Sequence, residues 1–88
     1  MTREACAEEL CNYIKTHPSN FNAAYGVYTI THTDEIRNQF VAVNFGRADT
    51  LEARLWVYGP EFIWCNSNRG HWQTVYSIAA AKEFVDRL

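Results

Sequence analysis

Nothing in the chain approaches the ~20 consecutive apolar residues of a membrane-spanning helix. The first residues, Met1-Thr2-Arg3-Glu4-Ala5, include no apolar signal stretch. There is no surplus of positive charge: 8 Lys+Arg stand against 10 Asp+Glu, a net of −2. Binding to duplex DNA by counterion release needs a basic surface, so bulk duplex binding is not expected. Acidic and basic residues are spread evenly along the chain, and no block carries a single sign. C-x-x-C, H-x-x-x-H and H-E-x-x-H are all missing, which removes the usual zinc spacings. G-x-G-x-x-G, the Walker lysine motif and G-x-S-x-G are missing too. No cofactor, metal or enzymatic activity is expected from this pattern.

Cysteine is scarce and odd in number: Cys6, Cys11 and Cys65. Three thiols cannot all pair within one chain, and with no signal stretch they read as reduced and cytoplasmic. Cys6 and Cys11 lie five residues apart, roughly 140° around a helix, too far apart to share a bond or a metal.

What is present suits a folded domain. The 88 residues are 48% hydrophobic and 20% charged. That length allows one core, so residues 1–88 are expected to form a single α+β domain. Residues 3–16 carry a helical stripe through Cys6, Leu10, Tyr13, Ile14 and His17. Thr2 can cap this helix and Pro18 ends it. Strands are expected near 24–32, 38–45, 51–58, 62–66 and 71–76, where β-branched and aromatic residues alternate between turn residues. The breaks fall at Thr33-Asp34-Glu35, Gly46-Arg47-Ala48-Asp49, Gly59-Pro60-Glu61 and Asn66-Ser67-Asn68-Arg69-Gly70. Such short links imply hairpins and hence an antiparallel meander. A last helix follows, with Ser77 as its N-cap and Ile78, Ala81, Phe84, Val85 and Leu88 on one side. Eleven residues are too few for a stable isolated helix, so it must dock on the sheet. The expected architecture is a meander of four to five strands with both helices on one face.

Strand 51–58 indicates which face. Leu51, Ala53, Leu55 and Val57 share one side; Glu52, Arg54, Trp56 and Tyr58 share the other. The charged side is the poorer core, so the helices should cover the aliphatic side. A three-residue Gly59-Pro60-Glu61 loop sets Trp56 opposite Trp64, Leu55 opposite Cys65 and Tyr58 opposite Phe62. A loop over 66–70 sets Trp64 opposite Trp72 and Cys65 opposite His71. The three tryptophans then form a lateral row, with Tyr58, Phe62, Tyr76 and Arg54 on the same face. A one-residue slip in either turn would break the row.

Arg54, Trp56, Tyr58, Trp64, Trp72 and Tyr76 are therefore the candidate partner- or ligand-binding residues. Trp, Tyr and Arg dominate interface hot spots, and an uncovered patch of this size marks an interaction site. The expected partner is another protein, or a second copy in a homodimer. Many small phage and mobile-element accessory proteins, including inhibitors of defence proteins, share this size and style. On this reading, alanine at Trp56, Trp64, Trp72 or Arg54 keeps the fold and loses the partner. The same rings could instead stack a nucleotide or single-stranded nucleic acid. A third reading makes the row core, covered by segment 18–24 with Phe21 or by one of the helices. Cys65 opposite His71 is the one nucleophile–base pair this register brings together, although Cys65 faces the helices. His32-Thr33-Asp34-Glu35 reads as a solvated turn, and His17 as a helix-end residue near the negative end of the dipole.

Overall fold

The computed structural model describes residues 1–29 and 39–88, with backbone alone for 24–29 and 39. The expectations for the turn at 33–35 and the cluster at 32–35 lie outside the described residues. Helix α1 (Arg3–Lys15) leads into strands β1 (Asn22–Thr29), β2 (Gln39–Arg47), β3 (Thr50–Gly59), β4 (Phe62–Ser67) and β5 (Trp72–Val75), and helix α2 (Ile78–Asp86) closes the order. The strands form one antiparallel sheet in the order β1-β2-β3-β4-β5. This is the α+β meander expected from the spacing of the turns. No helix among the described residues is long and apolar enough to cross a membrane.

Both helices start on side-chain caps. The Thr2 hydroxyl accepts from Ala5 N at 3.0 Å, and the Ser77 hydroxyl accepts from Ala80 N at 3.1 Å. Each satisfies an amide that the first turn would leave unpaired. Glu4 in the first turn of α1 and Lys15 in its last complement the dipole. Helix α1 buries Cys6, Ala7, Leu10, Cys11 and Ile14. Helix α2 buries Ala81, Phe84 and Val85. These side chains meet the aliphatic sheet face in one core, with Val41 and Val43 from β2, Leu55 and Val57 from β3, and Ile63 and Cys65 from β4. The two helices are joined at their C-terminal ends: Tyr13 and His17 both reach Asp86, while Lys82 pairs with Glu9 at 3.4 Å.

Phe21 belongs to this helix-side core. Its ring meets Phe45 edge-on at 5.3 Å, and the Arg47 guanidinium lies 4.6 Å above it. Segment 18–24 therefore does not cross the tryptophans by way of Phe21.

Two details of β3 differ from simple alternation. Phe45 pairs with Ala53, but Gly46 pairs with Leu51, leaving Glu52 as an extra residue in a bulge. A bulge breaks the period of two, so the side chains before it change sides. Leu51, expected in the core, is 37% exposed and lines a groove with Trp56 and Arg54. Glu52, expected beside Arg54, instead pairs with Arg47 at 2.8 Å. Gly46 makes this crossing possible. A Cβ there would lie 1.8 Å from Thr50 O and 2.8 Å from Glu52 N.

Candidate functional site

The outer sheet face, the one neither helix packs on, carries the aromatic residues. Trp56 pairs with Trp64 and Leu55 with Cys65, as the sequence predicts. The loop is shorter than expected, because Gly59 pairs with Phe62 and Tyr58 takes up the difference as a second bulge. The Tyr58 and Phe62 rings still meet, edge-on at 5.2 Å.

The next hairpin corrects the predicted row. Trp64 pairs with Thr74, Cys65 with Gln73 and Asn66 with Trp72. Ser67 N donates to His71 O at 2.8 Å, so the loop is Asn68-Arg69-Gly70 rather than 66–70. Gly70 has φ +82°, the left-handed conformation that closes three-residue hairpin loops. The shift is two residues, so Trp72 keeps its face but moves away from Trp64. It makes no ring contact among the described residues.

The rings form a connected band. Phe40 stacks on Trp56 at 4.5 Å and touches Tyr58 at 5.3 Å. Trp56 touches Trp64 at 4.6 Å. From Tyr58 the contacts continue to Phe62 and on to Tyr76, 6.3 Å further. Exposure rises across the face towards β5. Phe40 is 4% exposed; Trp56, Tyr58 and Trp64 are half-buried; Phe62, Tyr76 and Trp72 reach 48%, 67% and 69%. One face thus carries both packed rings, from Phe40 to Trp64, and open ones, Phe62, Tyr76 and Trp72. Phe40 was absent from the predicted site, although its alternation with Ala42 and Asn44 against Val41, Val43 and Phe45 carries the signal.

Arg54 is half-buried on this face, between Asn44 and Asn66 in the pairing. It makes no ion pair among the described residues. With Phe40, Ala42, Asn44, Leu51 and Trp56 it lines a shallow groove of about 210 Å³. Burial pushes the Tyr58 phenol up from its ordinary value, so the ring is neutral at physiological pH.

The thiols are placed differently. Cys6 and Cys11 on α1 and Cys65 on β4 are free and buried in the core between helices and sheet. Burial raises Cys65 to about 12 and Cys6 to about 11, and raises Cys11 as well. A thiol needs an accessible, electropositive setting to act as a nucleophile. His71 is exposed in the β4–β5 hairpin and is not opposite Cys65. The predicted Cys65–His71 juxtaposition does not form.

No family model, no curated protein and no solved structure matches this chain.

Proposed function

We propose that this chain is a non-enzymatic protein-binding domain that acts by occupying a partner's surface with the β4–β5 end of its aromatic face. The supporting observation is the exposure of Phe62, Trp72 and Tyr76 on the side of the sheet that the helices leave uncovered. Aromatic side chains bury large areas at low entropic cost and serve as interface anchors. Arg54, without an ion-pair partner among the described residues, adds a cation beside the apolar band. The complementary partner is a protein with an apolar patch bordered by carboxylates. A homodimer through this face is the self-associating form of the same reading.

The test is differential capture and native mass spectrometry of the wild type beside a Trp72→Ala/Tyr76→Ala variant. The expected result is a partner, or a second copy, held by the wild type and lost by a variant whose circular dichroism is unchanged. An identical bound set for both proteins overturns the reading.

A second reading draws on the groove where Arg54 borders Trp56. A ring beside a guanidinium suits a nucleotide or single-stranded nucleic acid, the base stacking and the phosphate pairing. It predicts tryptophan quenching by nucleotides or oligonucleotides that weakens with salt. Emission unchanged across such a panel removes it.

A further inference from the structure

A second cavity, of about 180 Å³, lies away from the aromatic face, where the start of β3, the β4–β5 hairpin and the end of α2 converge. Its lining includes Glu52, Ser67, Arg69, His71 and Arg87. Two of these lining residues each hold a buried polar atom without a hydrogen-bond partner among the described residues: Glu52 Oε2 and Ser67 Oγ. Ser67 is only 4% exposed. The other carboxylate oxygen of Glu52 accepts from Arg47 at 2.8 Å. A buried acceptor without a donor costs free energy that a donor-bearing ligand would recover. The surrounding charge has the opposite sign. Arg69 is exposed on the hairpin loop and makes no ion pair among the described residues. Arg87 sits at the end of α2, with Glu83 3.9 Å away.

We propose that this cavity binds a small zwitterion, of which a free α-amino acid is the simplest class. Its ammonium donates to Glu52 and Ser67, and its anionic group pairs with Arg69, supported by Arg87 and His71. Both ends are needed. A simple anion leaves the Glu52 oxygen without a donor, and a simple amine leaves Arg69 without a counter-charge. The volume is below the usual ~300 Å³ of drug-sized sites, which restricts the occupant to a few heavy atoms. The site owes nothing to the aromatic face, so the two assignments succeed or fail separately.

The experiment is an amide NMR titration of the intact chain with glycine, L-serine and L-phosphoserine. Ethanolamine, acetate and inorganic phosphate serve as single-ended controls. The expected result is saturable shifts at Glu52, Ser67 and Arg69 with at least one zwitterion, and affinity at least ~10-fold weaker for every control, since each end contributes a charge-assisted bond. Glu52→Gln and Arg69→Ala should each weaken binding ~10-fold or more. Arg69 is exposed in a loop, so its variant reports even if Glu52→Gln disturbs the fold. No saturable shift up to ~20 mM, a concentration that still reveals millimolar affinity, overturns the proposal. So does a control that binds as tightly as the zwitterion, or an Arg69→Ala variant with unchanged affinity.

Discussion

The Tyr13 hydroxyl donates to Asp86 Oδ1 at 2.6 Å, linking two helices whose partners lie 73 residues apart in the chain. His17 Nε2 meets the same oxygen at 2.9 Å. The Tyr13 hydrogen bond, followed by that from His17, holds the Asp86 carboxyl below the usual carboxylate range. A carboxylate with a lowered folded value stabilises the fold above its unfolded pKa, near 4, and loses that contribution as pH falls through the folded value. Asp86→Asn should therefore lower stability at neutral pH and flatten the acid limb of the stability–pH profile, so that the two proteins converge towards pH 2. Chemical denaturation of both proteins from pH 2 to 7 checks this. Parallel profiles would show that the contact does not couple to folding.

The buried thiols predict the opposite limb. Cys6 and Cys65 have folded values raised to about 11 and about 12. Raised values favour the neutral form in the fold, so their contribution is intact below the unfolded thiol pKa of ~8.5 and falls as pH climbs beyond it. At neutral pH burial keeps Cys65 protonated, and the native thiol should be inert. Ellman's reagent should label none of the three cysteines promptly in the native protein and all three in denaturant. Prompt native labelling of Cys65 would contradict its burial.

The glycines separate three backbone demands. A Cβ at Gly46 meets the backbone of Thr50 and Glu52, which cannot move without breaking the β2–β3 hairpin. Gly46→Ala should cost about 2–4 kcal/mol, in the range of backbone and overpacking effects. Gly70→Ala meets no atom, but φ +82° is strained for any L side chain, a cost of about 1–2 kcal/mol. Gly59→Ala meets neither obstacle and should fall within about ±0.5 kcal/mol. Thermal melts of the three variants give the ranking.

These same positions show where reading the sequence stopped short. Helix caps, strand count and the Trp56–Trp64 pair were legible, because capping and binary alternation depend on side-chain type alone. The Glu52 bulge was not, because it follows from the close crossing at Gly46 and from Ala48 at φ +52°. In sequence that crossing reads only as a turn of ordinary composition. The Trp72 position missed by two residues because Asn66-Ser67-Asn68-Arg69-Gly70 is all turn-forming, and hydrogen bonding alone decides that Ser67 remains in β4. The exposure gradient also lay beyond composition, since Trp56 and Trp72 differ in their neighbours and not in their chemistry.

That gradient makes the tryptophans separable by experiment. The sequence suggests that alanine at any of the three would spare the fold. Trp56, however, is half-buried between Phe40 and Trp64, with ring contacts at 4.5 and 4.6 Å. Its removal deletes packed aromatic area and should cost about 2–4 kcal/mol. Trp64 loses one of these contacts and should fall lower in the same range. Trp72 is 69% exposed with no ring contact among the described residues, so Trp72→Ala should change stability by less than about 0.5 kcal/mol. Urea denaturation of the three single variants tests the ordering. If Trp72→Ala destabilises as much as Trp56→Ala, the β5 edge is core rather than surface, and the binding role falls with it. If Trp72→Ala leaves the fold intact while Trp56→Ala does not, Trp72 is the tryptophan to vary in any search for a partner, because its loss can be read as lost binding rather than lost structure.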